Sequence, residues 1–332
     1  MKKALLPVAI LAALPAVALA DVTIYGRANV SVDLLDDGDD YSEVNMASGS
    51  SRLGFRANRE FDGFTAIMQI EQEIDFTDSG SNWASRDTFV GLRGDFGMFR
   101  LGKFDTPFKQ ARGPANLFGD QVGDMRNLTR AGNARFDERT PNTIHYQTPD
   151  LGGFRLNVAY SLHEGRDSRD LDDDAISLSL TYSAGPISLA AAYEKFDDDA
   201  SRGGRDAFRF ALSYRLESLT LVGFFQTADH NNDAFDSDVF GIGASYAIDE
   251  KNTIKAHYFR RSADPTDSDS DMFAIGYEYR IARPVRIFIN YARVANDDNA
   301  NLTPWNQART TDRPGSFGNT ASAFSLGLRY DF

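Results

Sequence analysis

The chain contains no cysteine. That absence removes disulfide scaffolds, thiol nucleophiles and thiolate metal sites together. Histidine is scarce as well. His145, His163, His230 and His257 stand on separate segments, without metal-ligand spacing. No phosphate-binding glycine loop and no nucleophile elbow is found. The chain therefore offers no candidate catalytic residue, metal site or cofactor. Basic charge is in deficit, with 35 Lys and Arg against 48 Asp and Glu and a net charge of −13. Nucleic acid is a poor partner on that ground, because phosphate binding needs a basic footprint. Long apolar runs are missing after the first 20 residues. A membrane-spanning helix needs roughly 20 such residues, but a bilayer also admits closed barrels, whose strands need only about ten alternating ones.

The first 20 residues read as a secretory leader. Lys2 and Lys3 precede the apolar stretch Ala4–Leu14, Pro15 breaks it, and Ala18-Leu19-Ala20 supplies the small residues of a cleavage site. Residues 1–20 are expected to be removed and 21–332 to form a single domain. Loss of the two lysines takes the net charge from −13 to −15.

From Val22 onward the ruling pattern is alternation. In the last segment Phe324, Leu326, Leu328, Tyr330 and Phe332 share one parity, and Ser325, Gly327, Arg329 and Asp331 share the other. Strand side chains alternate between faces, so one face is apolar and the other polar. Sixteen such segments can be counted, from Val22–Leu35 and Ser51–Glu60 to Ala321–Phe332. Tight connections such as Phe61-Asp62-Gly63 and Glu217-Ser218 alternate with long polar ones such as Asp36–Ser50, Asp105–Glu138 and Ala295–Thr320. An even strand number with short turns at one end and long loops at the other is the organisation of a bacterial outer-membrane barrel. A secreted soluble β-protein gives no reason for it.

The polar parity carries Arg27, Arg52, Arg56, Arg86, Arg100 and Arg139. In a dry core each ion would cost several kcal/mol. Facing lipid at mid-bilayer, each Arg would cost about 2–4 kcal/mol. A barrel of sixteen strands can hold water inside, where neither penalty applies. The expected fold class is all-β, a 16-stranded antiparallel transmembrane β-barrel. Phe154, Tyr182, Tyr214, Tyr246 and Tyr279 fall near the short-turn end, where an interfacial girdle would anchor.

The longest internal loop, Asp105–Glu138, mixes Phe108, Leu117, Phe118 and Val122 with its charges. Loops of this length are usually functional or disordered, and the apolar content favours function. It reads as a third loop folded into the barrel, with a helical turn or two near 108–116. Asp120 and Asp124 are its candidate acids at a constriction. The six arginines form the candidate basic wall, with Arg209, Lys255 and Arg286 adding to it and Glu71, Glu73 and Asp75 on the same parity. Opposed charges across a wet gap set up a transverse field that sorts solutes. His145 and His257 have inward parity and are expected to face water. The Asp clusters at 36–40, 172–174, 197–199, 264–271 and 297–298 lie on the long-loop side and read as a solvated rim. Loose bridging of divalent cations to lipopolysaccharide is the secondary reading, and at Asp36–Asp40 no Glu closes a calcium loop at the required offset.

Several short motifs then resemble one family, the trimeric general porins of Gram-negative outer membranes. They are Val22-Thr23-Ile24-Tyr25-Gly26-Arg27-Ala28, Ser51-Arg52-Leu53-Gly54-Phe55, Arg86-Asp87-Thr88-Phe89-Val90-Gly91-Leu92-Arg93, Phe96-Gly97-Met98-Phe99-Arg100-Leu101-Gly102-Lys103 and the terminal Phe332. The resemblance implies a homotrimer with one pore per subunit, an inward third loop, and Arg27, Arg52, Arg86 and Arg139 as an arginine cluster facing it. It also implies that Phe332 is the mark read by the barrel-assembly machinery. The loop tip departs from the family. Many relatives carry Pro-Glu-Phe-Gly-Gly-Asp where this chain reads Asn116-Leu117-Phe118-Gly119-Asp120, so Leu117 replaces the tip carboxylate. The expected function is passive diffusion of ions and small hydrophilic solutes through the cell outer membrane, with outer-membrane lipid and lipopolysaccharide as surroundings. Cation against anion preference stays open. The alternatives are a substrate-specific channel and a barrel enzyme, for which no outward nucleophile and histidine pair is found.

Overall fold

A computed structural model describes residues 21–77, 84–162, 174–197 and 202–332. The expected leader lies outside these residues, as do His163, Asp172, Asp173, Asp198 and Asp199. Among the described residues seventeen strand segments form one sheet that closes on itself. In chain order they are β1 (Asp21–Asp36), β2 (Ser42–Ser48), β3 (Arg52–Phe61), β4 (Phe64–Glu73), β5 (Thr88–Gly94), β6 (Gly97–Asp105), β7 (Arg139–Gln147), β8 (Phe154–Ser161) and β9 (Ala175–Ala184). There follow β10 (Ile187–Phe196), β11 (Arg205–Leu216), β12 (Leu219–His230), β13 (Ser237–Ala247), β14 (Asn252–Ala263), β15 (Ser270–Ala282), β16 (Val285–Asn296) and β17 (Thr320–Asp331). All pairings are antiparallel, they join segments adjacent in sequence except where β1 meets β3, and β17 returns to β1 from Arg27↔Asp331 to Asp36↔Ser322. Closure leaves no edge, which lipid would otherwise leave unsatisfied at several kcal/mol per group.

Seventeen segments make sixteen staves because β2 and β3 share one. The far half of β1 pairs with β2, from Val30↔Ser48 to Asp36↔Ser42, and its near half pairs with β3, from Asp21↔Asn58 to Arg27↔Arg52. Sequence alternation assigns Asp36–Ser50 to a loop, and the structure corrects this. Leu34↔Val44 and Val32↔Met46 extend the hairpin, an alternation too short to read against Glu43 and Asn45. The gap between the halves is Gly49-Ser50-Ser51, with Ser50 in the left-handed region at φ 53°. Side chains stitch it: Asn29 N–H donates to Ser51 Oγ at 2.9 Å, and Ser51 Oγ donates to Asn29 C=O at 3.2 Å.

The faces are inverted relative to a soluble protein. Val22, Ile24, Leu34, Leu326, Leu328 and Tyr330 are exposed, while Asn29, Asp33, Glu194, Arg209, Asn290 and Ser325 are buried. The last residue completes the closure. Gly26 and Phe332 exchange both backbone hydrogen bonds at 2.9 and 3.0 Å. A Cβ on residue 26 would stand 2.4 Å from the Phe332 ring and 2.8 Å from Arg52 C=O, so a larger residue would have to displace both.

Candidate pore constriction

The segment between β6 and β7 crosses the inside of the barrel. It opens with Thr106, whose hydroxyl accepts from Lys109 N–H, followed by Pro107 and a one-turn helix α1 (Pro107–Gln110). A 3-10 turn at Gly113–Ala115 and a second short helix, α2 (Arg126–Thr129), complete it. Its apolar side packs on inward positions that are small. Phe108 and Phe136 lie against Ala190, Ala192 and Ala207, and Phe118 and Val122 against Ala274 and Ala292. Small inward residues on these staves leave the volume that the segment's aromatics fill.

Polar anchors recur along the same path. Phe108 N–H donates to Ser177 Oγ at 3.0 Å. Arg209 is fully buried, donating to Asp137 Oδ1 at 2.5 Å, to Phe108 C=O at 3.0 Å and to Gln226 Oε1 at 2.5 and 3.0 Å. Lys255 Nζ donates to Leu117 C=O at 2.8 Å and to Gln121 Oε1 at 3.0 Å. At the tip, Asn29 Nδ2 donates to Asp120 C=O at 3.1 Å and Ser50 Oγ donates to Asp120 Oδ1 at 3.0 Å. The break between β2 and β3 is thus the seat of the tip. A Cβ on Gly49 would stand 2.4 Å from Asp120 C=O.

The expected wall residues stand on β1, β3, β6, β7 and the approach to β5. Arg27 pairs with Asp331 at 2.8 Å and reaches Asp120 at 3.6 Å. Arg52 and Arg86 share Glu71, at 3.7 and 2.6 Å. Arg56 donates to Gln69 Oε1 at 2.9 Å and lies 3.9 Å over the Tyr25 ring, whose hydroxyl donates to Glu71. Arg139 bridges Asp87 and Asp105 at 2.6 and 2.7 Å. Arg100 is set apart. It donates to His145 Nδ1 at 3.1 Å and lies 3.9 Å over the Phe104 ring.

The two loop acids behave differently. Asp124 is 0 % exposed and taken up by Arg126 Nη2 at 2.6 Å and by Asp120 N–H at 2.7 Å. Asp120 also accepts from Arg126, at 2.7 Å, and so sits between the segment's own arginine, Ser50 and Arg27. Burial alone would raise the Asp120 carboxyl, but Arg126, Arg112, Ser50 and Arg27 outweigh it and hold it well below the usual range. Asp137 follows the same logic. Burial opposes its charge, and Arg209 and Arg112 push it down to about 2.

Four expectations need correction. Arg209 and Lys255 do not belong to an open wall; they clamp the segment from beneath it. His145 and His257 do not face water, at 2 % and 3 % exposure. His145 packs on Phe104, and His257 lies between Phe118 and Phe259. Parity alone could not show these, because it reports inside or outside and not what else is inside.

A second loop also turns inward, and parity gave no sign of it. Trp305 is fully buried beside Tyr41, and its Nε1 donates to Arg313 C=O at 3.2 Å. Asp33 accepts from Thr310 Oγ1 and Ser325 Oγ, each at 2.5 Å. The loop between β16 and β17 joins the first segment through Gly123 N–H to Pro304 C=O, at 2.8 Å, and Gln307 N–H to Asn127 Oδ1, at 2.9 Å. Its Arg309 pairs with Glu73 on β4. The one available signal was Trp305, a large aromatic in a polar loop.

Residues 8–299 match the family model of the Gram-negative porins. Major outer membrane protein P.IB of Neisseria meningitidis is 31% identical over 49% of this chain and 50% of its own length. The chain thus spans about half the length of the first curated relatives it matches. Outer membrane porin protein 32 of Delftia acidovorans is 28% identical over 100% of both chains. Among solved structures, an anion-selective porin from Comamonas acidovorans superposes with a TM-score of 0.83 at 24% identity, covering 94% of this chain and 100% of its own.

Proposed function

Because this chain belongs to the Gram-negative porin family, we propose that its barrel is a passive diffusion channel of the outer membrane with a preference for small anions. The observation that carries the preference is the imbalance at the constriction. Arg27, Arg52, Arg56, Arg86, Arg100 and Arg139 stand on or beside the wall, against Glu71, Asp87, Asp105, Asp331 and the loop's Asp120, which Arg126 shares. The facing segment brings one carboxylate to the wall, Asp120, and Arg126 already shares it. Leu117 falls where the family resemblance puts a tip carboxylate, Asp124 is enclosed by Arg126, and Asp137 is paired with Arg209. The anion selectivity named for the Comamonas acidovorans porin agrees with this reading.

The assembly is proposed to be a homotrimer packed through β1–β6. Of 13 tyrosines, the 11 from Tyr146 to Tyr330 lie on β7–β17, and nine of them are exposed. Tyr25 and Tyr41 turn inward, to Glu71 and Trp305. The outer face of β1–β6 instead shows Val22, Ile24, Val44, Met46, Met68 and Val90. Tyrosine belts mark contact with lipid headgroups, so the face without one suits another protein surface. Phe332 is proposed as the assembly mark and the rim carboxylates as a cation-holding surface toward lipopolysaccharide.

The test is conductance in a planar bilayer across a KCl gradient. Current steps in groups of three and a reversal potential on the chloride side are expected. The preference should be stronger at 0.1 M than at 1 M salt, where the screening length falls from about 10 to about 3 Å. Silent bilayers or a potassium-side reversal potential would defeat the reading.

A further inference from the structure

Between the two inward loops, both of them long-loop-side connections, lies a cleft of about 230 Å³. Arg126, Asn127, Arg130 and Arg135 line it from one loop and Asn301 and Gln307 from the other. Several of its donors have no acceptor among the described residues. Arg130 spends Nε on Phe136 C=O and Nη2 on Glu138, and its Nη1 makes no hydrogen bond among the described residues. Among the described residues Arg135 spends only Nε, also on Glu138, at 3.2 Å. One carboxylate therefore answers two lining guanidiniums. Asp312 is the one carboxylate in the lining itself.

Asn127 is the decisive side chain. It is 6 % exposed, and its Nδ2 has no hydrogen-bond partner among the described residues. Its orientation is not free to flip, because Oδ1 accepts from the backbone N–H of Gln307 at 2.9 Å. A buried amide donor left unmade costs about 1–3 kcal/mol, which an acceptor in the cleft would recover. Guanidiniums recognise planar oxyanions through paired hydrogen bonds. The volume lies below the roughly 300–1,000 Å³ of drug-sized sites.

We infer that this cleft is an oxyanion-binding subsite, separate from the arginine wall, that takes a small solute bearing carboxylate or phosphate on the long-loop side. Arg130 and Arg135 hold the oxyanion, and Asn127 Nδ2 donates the third contact. Calorimetry on the full-length, detergent-solubilised protein tests it, without reliance on conduction. Succinate and inorganic phosphate serve as separate probes. One site per chain is expected for at least one of them. Heat with succinate alone identifies an organic carboxylate, and heat with phosphate alone identifies the mineral ion. Arg135→Gln and the isosteric Asn127→Asp should each weaken binding at least tenfold, with the heat-shifted gel migration of a folded barrel retained. Arg52→Gln should leave the dissociation constant within twofold. Absence of heat with both probes, or binding that is lost in Arg52→Gln and kept in Arg135→Gln, overturns the inference. A channel that conducts yet binds neither probe would leave the porin reading standing and remove this one.

Discussion

Single residues divide here by what shares their side of the barrel. Arg52, partly exposed, and Arg86, buried at 6 %, share one carboxylate, Glu71, which can answer only one of their two charges. Replacing both with Gln should lower the anion-to-cation permeability ratio about threefold or more, as expected when a local potential of order kT is removed. An unchanged reversal potential would show that the wall does not set selectivity. Asp137 is the opposite case. Its carboxyl is held down at about 2 by Arg209 and Arg112, so it stabilises the loop fully above an ordinary carboxylate value near 4. That stabilisation is lost as pH falls toward 2. Conductance should therefore hold steady from pH 7 to pH 4 and rise only below that. A rise centred at pH 5 or higher would point to another group.

Among elements, the segment 106–138 and the barrel are stabilised by different interactions. The staves rest on ladder hydrogen bonds, whereas the segment rests on Phe108 and Phe118 in alanine-lined hollows and on buried pairs such as Arg209 with Asp137. Breaking one partner of a buried pair costs about 3–5 kcal/mol, because the other charge is stranded. Arg209→Met should thus loosen the segment and raise single-channel conductance, while unheated protein still migrates as a closed barrel on a gel. Loss of the heat-shifted band instead would mean that the segment also stabilises the staves.

For the whole molecule, the girdle gap makes a directional prediction. Met68 and Leu221 are both exposed, on β4 and β12 respectively. Met68→Arg should dissociate the trimer into folded monomers, read as mass by light scattering in detergent. Leu221→Arg places the same charge toward lipid, costing about 2–4 kcal/mol at mid-bilayer. It should lower folding yield and leave the assembled mass trimeric. The reverse pattern would move the interface to the other side of the barrel.

The barrel itself was legible in residue order, because a two-residue period is a local property of each strand and repeats around the closed sheet. The outward stripe of Phe324 to Phe332, the closing pair of β1 with β17 and the inward parity of Arg27, Arg52 and Arg86 follow from it. The extra segment Ser42–Ser48 escaped, since two apolar positions carry too little signal. What occupies the lumen was decided only by tertiary structure. The fates of Arg209, Lys255, His145 and His257 depend on a loop that meets them from distant positions in the chain, as Arg209 meets Phe108. Asp124 and Asp120 look alike in sequence, yet Arg126 encloses one and leaves the other touching Arg27. Alternation tells a side chain which way to point. Only the packed loops determine whether it then meets water, an ion or an aromatic ring.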